Sequence, residues 1–370
     1  MPNYITIPPE RAGLELDEFL CLTFPLLNKG FLRTKVREGA VLVDGMKASP
    51  SQRLREYQVL VVDFEEDEVL PDVPVAPPVR IPVLYEDENV LALDKPSDLA
   101  AEPERWAKAN ASLAGALLEL ALERAEIDPA EPTRPTRGLA FRPRLLHRLD
   151  KDTSGVVLVA KNLPAERALR EAFEIGAVHK RYLALVEGDY PLAADDSEIV
   201  DLPIGPDERR SGRMCVDRRH GKPSQTRLSI AKRFRGYTLL VCEPLTGRTH
   251  QIRVHLRELG FPLAVDPVYG RRNSLSLSEF KRDYRRKPGA LEHPLIERLT
   301  LHALSIDFPD PASLDRVRFG AGTETEMPAA GAPPRFTAED FARARRLVVE
   351  APLPRDLARV LKQLEKARPA

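Results

Sequence analysis

Residues 156–160 read VVLVA, an unbroken aliphatic run of strand length. A run apolar at every position belongs in the core of a sheet, and any fold for this chain must build around it. Directly before it stands LLHRLDKDTSG (145–155), which crowds His147, Arg148, Asp150, Lys151 and Asp152 against the entrance of that strand. Ionisable groups so placed form either a well-bonded turn or a site.

The neighbouring segments extend the sheet. NVLALDKP (89–96), KRYLALVEG (180–188), SQTRLSIAKRF (224–234) and YTLLVCEPL (237–245) all read as strands. PAERALREAFEIG (164–176) predicts a helix that opens on proline and closes on glycine. THQIRVHLRELG (249–260) predicts another, with Ile252, Leu256 and Leu259 on one face and Gly260 closing it. Strands with scattered helices predict an α+β domain over residues 83–309, on a largely antiparallel mixed sheet. Within it, residues 123–144 are rich in proline and arginine and read as a surface loop.

Residues 1–64 form a separate small α/β module. LELDEFLCLTF and KGFLRTKVREG predict two helices, the second basic and closed by Gly39. AVLVDGMKA predicts a hairpin turning at Asp44-Gly45, and YQVLVVDF a closing strand. Residues 65–82 are an acidic, proline-rich linker, 310–336 a flexible one, and 337–370 a helical tail with Thr337 as N-cap.

At 370 residues two or three domains are expected. No apolar run is long enough to span a bilayer, and MPNYITIPPERAG lacks the layout of a signal peptide. Only Cys21, Cys215 and Cys242 occur, without a CxxC pair, which argues against structural disulfides and cysteine zinc sites. A cytoplasmic, membrane-free monomer is therefore expected.

The formal net charge is zero, but it is unevenly spread. Between Arg209 and Arg257 the basic residues far outnumber the acids, which are only Asp217 and Glu243. A solvated surface is the plain alternative. An arginine-heavy face on one domain, balanced by acidic stretches such as EEDE (65–68), points instead to a polyanion, with nucleic acid foremost.

HRLDKDTSG admits few enzyme classes. A kinase HRD lacks the intervening leucine and follows a Gly-rich loop, and a deaminase needs H-x-E with P-C-x-x-C. His250 and His255 stand five apart, which does not suit adjacent metal ligands on one helix face. A structural turn remains open on this segment alone. Taken in order with KRYLALVEG, TGRTHQIRVHLRELGFPLAVDPVYG (246–270) and LTLHALSIDFPDP (299–311), however, it resembles the RluA-type RNA pseudouridine synthases. The amino-terminal module resembles the small S-four-type RNA-binding module found on RNA-modifying enzymes, although LELDEF and NKGFLR replace that family's usual arginine and serine-arginine positions.

That resemblance implies roles. Asp150 matches the catalytic aspartate, and Arg148 the arginine that enters the RNA stack beside the flipped uridine. Tyr182 matches the tyrosine against the uracil, a candidate for deprotonating carbon-5, and Arg253 the arginine that pairs with the aspartate. His147, Thr249, His250, Gln251 and Arg257 fall in the motifs as substrate-side residues. An ionised carboxylate can serve as nucleophile or base, and a neighbouring arginine counters the desolvation that would neutralise it. The isomerisation is redox-neutral, so neither cofactor nor metal is expected. The base must leave the stack to be reached.

Two departures stand out. The family's K-P-x-G turn reads KPSD here, with Asp98 in place of glycine, and Glu102-Pro103 replaces a histidine-proline. Residues 271–298 and the tail are extra to the minimal domain. The expected function is isomerisation of uridine in structured RNA, with large-subunit ribosomal RNA favoured. The alternatives are transfer RNA as substrate, or a non-catalytic RNA-binding or ribosome-assembly protein of the same fold.

Overall fold

The computed structural model describes residues 3–7, 12–24, 27, 29–64, 80–101, 112–124, 127–128, 131–135, 143–210, 212–281, 283–285, 291–314 and 336–369. Most of the expected linkers, 65–79 and 315–335, lies outside the described residues, as do Glu102 and Pro103.

In the amino-terminal module the elements follow the hydrophobic pattern. Strand β1 (Asn3–Thr6) precedes helices α1 (Leu16–Thr23) and α2 (Lys29–Glu38). Strands β2 (Val41–Val43), β3 (Met46–Lys47) and β4 (Val59–Val62) complete a sheet ordered β1-β4-β2-β3. Asp44 and Gly45 both have positive φ, 49° and 77°, as the tight hairpin with a primed turn requires. Leu16, Leu20, Leu32, Val36, Leu60 and Val62 form its core. Strand β1 went unread because four residues carry too little pattern. The basic helix is partly neutralised from within: buried Asp17 accepts Arg33 at 2.7 Å and faces Lys29 at 3.3 Å.

Next come β5 (Val83–Glu86) and β6 (Val90–Lys95), then helix α3 (Leu113–Glu123). Strands β7 (Ile127–Asp128) and β8 (Glu131–Pro135) pair where a plain loop was expected.

The larger sheet is built from β5 and β6 with β9 (Arg144–Leu145) and β10 (Ser154–Ala160). Helix α4 (Leu163–Glu174) then leads to β11 (His179–Glu187), β12 (Ser197–Asp201) and the small ladder of β13 (Ile204–Pro206) with β14 (Met214–Val216). Strands β15 (Gln225–Phe234) and β16 (Tyr237–Pro244), helix α5 (Gln251–Glu258) and β17 (Leu301–Pro309) follow. Helix α6 (Ala338–Arg343), strand β18 (Arg346–Glu350) and helix α7 (Arg355–Ala367) end the described chain.

Ten strands run β12-β15-β16-β11-β17-β10-β6-β5, with β9 on β10 and β18 on β17. Every pairing is antiparallel except β10 with β17. This is the α+β, largely antiparallel arrangement expected. All seven residues of β10 are buried, as the apolar run demanded. The glycine of DTSG is obligatory: a Cβ on Gly155 would sit 2.1 Å from the carbonyl oxygen of Ala303, and its φ is +114°. The parallel contact exists because residue 155 has no side chain.

Two expectations on helices fail. ARARRLVVE was read as helical throughout, but α6 stops at Arg343 and residues 346–350 form β18 on the edge of β17. The apolar period there is two, with Val349 5% and Val348 61% exposed, and an unpaired edge of β17 overrides helix propensity. The tail is thus not helical throughout but helix, strand, helix. Helix α7 buries Leu357, Val360 and Leu364 against Phe234, Leu239 and Phe280, and Arg298 clasps Asp356 with two bonds of 2.6 Å. Helix α5, expected to bury one apolar stripe, buries all of Gln251–Leu256. Its polar side chains can enter the core because each finds partners there.

Candidate active site

The turn between β9 and β10 carries Asp150. It is bound in by two devices. His147 Nε2 accepts the backbone N–H of Leu158 at 3.0 Å, a donor left open where β17 parts from β10 after residue 303. Burial, then the Lys180 charge, pushes the His147 pKa down to about 3, so the ring is neutral and structural. Buried Lys95 donates 2.8 Å bonds to the carbonyls of Pro96, Leu99 and Lys151 and so ties KPSD to HRLDKD. Desolvation lowers its pKa to about 8 against the pull of Asp152, Asp150 and Asp98.

KPSD turns as the glycine version would. Asp98 adopts φ +66°, the left-handed region that short Asp and Asn side chains tolerate best after glycine. Its exposed carboxylate lies 3.8 Å from Lys151. The missing glycine therefore leaves the turn's hand intact.

Asp150 faces Arg253, on α5, with Oδ2 3.1 Å from Nη1. The same guanidinium is locked by Asp266 through two 2.8 Å bonds. Asp266 is itself held by the N–H groups of Val268 and Tyr269. Desolvation works against the charge on Arg253, but the bonds and charge of Asp266, followed by Asp150, hold its pKa above the ordinary value. The buried cation thus bridges a buried carboxylate and a half-buried one that lines the cleft.

His250 heads α5 in the left-handed region, φ +58°, and its Nε2 lies 3.8 Å from Asp150 while Nδ1 bonds the Tyr269 hydroxyl at 2.8 Å. Burial lowers its pKa, opposed by Asp150. A strained non-glycine residue is retained where it aims a ring at the carboxylate. His250 and His255 indeed diverge: His255 is spent on Thr226 and the carbonyl of Leu202.

Tyr182 sits on β11 at a bulge against β17 and is 9% exposed. Burial, then the charge of Asp150, raises its phenol pKa, so it stands protonated at neutral pH. Gln251 lines the cleft but its amide is bonded within the protein. Its amide oxygen accepts from Thr246 and Arg248 and its nitrogen donates to Gln225 and Thr226, which exhausts its capacity and fixes the 246–249 loop.

Asp150, Tyr182, Arg253, Arg148, His147, Thr249, His250 and Gln251 all line one cleft of about 960 Å³. Arg148 and Thr249 are exposed within it. Arg257 is not there; it lines a second cavity. It stands one helical turn after Arg253, on roughly the same side of α5 but about 6 Å further along its axis. The cleft also takes in Val348 and Glu350 of β18, which sequence reading had assigned to a helix.

A model of the RNA pseudouridylate synthase family matches residues 89–258. Ribosomal large subunit pseudouridine synthase D of Xanthomonas campestris is 35% identical over 343 residues, which cover 92% of this chain and 94% of that one. The D enzyme of Neisseria meningitidis serogroup B is 32% identical, covering 86% and 78%, and the C enzyme of Salmonella typhi is 32% identical, covering 87% and 93%.

The chain belongs to the RluA-type RNA pseudouridine synthases.

In this synthase the residue that sequence reading missed is Asp266, the second carboxylate on Arg253. Its signal was present in AVDPVYG: an aspartate before proline, able to turn and accept the next backbone amides. Gly270 belongs to the same turn, since a Cβ there would stand 2.7 Å from the Asp266 carbonyl. Among the described residues of the synthase no group of side chains is arranged to hold a metal, and no helix is long and apolar enough to cross a membrane.

Proposed function

We propose that this synthase isomerises uridine in large-subunit ribosomal RNA, with Asp150 as its catalytic carboxylate. The observation that carries this reading is the 3.1 Å Asp150–Arg253 pair facing an open cleft beside buried Tyr182. The names of the relatives from Xanthomonas, Neisseria and Salmonella favour the ribosomal substrate.

In this reading Arg148, exposed and two residues before Asp150, enters the stack and takes the place of the extruded uridine. The uracil lies against Tyr182, and Asp150, paired with Arg253, acts on the nucleotide as nucleophile or base. The N1–C1′ bond breaks, the ring turns, and a C5–C1′ bond forms. Carbon-5 loses its proton and N1 gains one, so the atoms balance without a redox partner. Tyr182 is neutral at rest, so it takes the carbon-5 proton only by passing on its own. Asp150, whose charge acts on Tyr182, lines the same cleft and is the group to which such a proton can pass.

The test is tritium release from RNA labelled at carbon-5 of uracil, comparing wild type with Asp150→Ala. Ribosomal RNA, large-subunit particles and transfer RNA are offered side by side. Release by wild type from large-subunit RNA, and none by the variant, supports the proposal. Release from transfer RNA alone refutes the ribosomal assignment. Tight binding without release from any RNA favours a binding protein.

A further inference from the structure

Arg257 leads to a cavity of about 490 Å³ that the mechanism does not use. Arg210, Arg213, Arg257 and Arg271 line it with Tyr269 and Gly270, and among the described residues no carboxylate does. Arg271 lies 3.7 Å from Glu187, but Arg210, Arg213 and Arg257 have no acidic partner among the described residues. Arg213 is the anomaly. It is 9% exposed, and its Nε is buried without a hydrogen-bond partner. Its guanidinium lies 4.8 Å from the Tyr269 ring, a cation–π contact that accounts for one face only.

A buried guanidinium without an anion is costly, and the cost disappears when an anion reaches it. Arginine in numbers, free of competing carboxylates, suits the oxygens of a phosphate. The rim arginines 210, 257 and 271 are exposed, as a long ligand passing over the pocket needs. The site also joins the catalytic centre, because the Tyr269 ring that carries Arg213 also lies 4.9 Å from Arg253 and its hydroxyl holds His250.

We propose that this arginine pocket binds a backbone phosphate of the RNA substrate, away from the flipped nucleotide. The proposal rests on the reading of structured RNA as substrate. Filling the pocket completes Arg213 and steadies Tyr269, and with it the His250 ring opposite Asp150.

The test measures binding of a labelled large-subunit ribosomal RNA transcript across a salt series. Wild type is compared with Arg210→Gln/Arg257→Gln, and with Arg359→Gln/Lys362→Gln, an exposed pair of equal charge that lines neither cavity. The pocket variant is expected to bind roughly tenfold more weakly, with the salt slope reduced by about 0.7–0.9 for one lost phosphate contact, while the control pair stays near wild type. Equal behaviour of the two double variants overturns the proposal. Inorganic phosphate is titrated in parallel. If it perturbs the Tyr269 resonance while the pocket variant keeps wild-type RNA affinity, the pocket serves a small phosphate and the RNA assignment is overturned. Tritium release by wild type from the same transcript is scored separately, so a failure of isomerisation is not confused with a failure of this site.

Discussion

Arg253 Nη1 reaches Asp150 Oδ2 at 3.1 Å across 103 residues of sequence, and the pair is set in place by a third residue, Asp266. The arginine is held by the buried carboxylate and presented to the half-buried one. A charge fixed before substrate arrives costs nothing to reorganise during the reaction.

Asp150→Ala should abolish tritium release while RNA affinity stays within a few-fold of wild type, since a carboxylate facing phosphates adds repulsion rather than affinity. Binding lost together with activity, in a variant whose circular dichroism and melt are normal, would sink that role.

Arg253→Met strands Asp266 as an unpaired buried charge. A destabilisation of about 3–5 kcal/mol is expected in urea, together with loss of activity. Arg253→Met with Asp266→Asn should recover most of the stability but none of the activity. Recovery of activity by the double variant would show that the arginine serves packing alone.

Asp98→Gly should be nearly neutral, within about 1 kcal/mol, because glycine enters the left-handed region freely at a greater loss of chain entropy. Asp98→Val should cost more, since a β-branched residue resists positive φ. Equal melting of the two variants would contradict the turn geometry.

His147 and His302 are held neutral in the folded state, with pKa values pushed by burial to about 3 and about 4. Both lie below the unfolded value near 6.5, so the unfolded chain binds more protons between those limits. Their contribution is complete above about pH 6.5 and is lost as pH falls, to an extent of about 3–5 kcal/mol together by about pH 4.5. His147→Gln keeps an acceptor for Leu158 but cannot titrate. Its stability should fall less steeply over that range, and an unchanged slope would place His147 outside the effect.

The parts legible in sequence were local. Strand β10 was readable from five apolar residues, α4 from its proline and glycine, and the hairpin from Asp44-Gly45. The cap of α4, Asn162, which accepts the Ala165 N–H at 2.9 Å, and the strand character of RLVVE were less visible. Both depend on what the neighbouring chain leaves unpaired. The bonds of Gln251 to Gln225 and Thr226 on β15, far off in sequence, were not legible from its motif.

Sequence by itself determined the α+β class and the core strand, because apolar period is a property of neighbours along the chain, and its motifs, by their resemblance to a known family, marked Asp150, Arg148, Tyr182 and Arg253 as residues to watch. Tertiary structure alone decided that Asp266 locks Arg253, that Asp98 turns as glycine would, that β18 joins the cleft, and that Arg257 faces a different cavity. Those facts rest on pairings that range from 13 residues apart, for Arg253 and Asp266, to 103, for Arg253 and Asp150. Such pairings depend on which buried donors and charges remain uncompensated once the sheet has closed, and no local pattern records that.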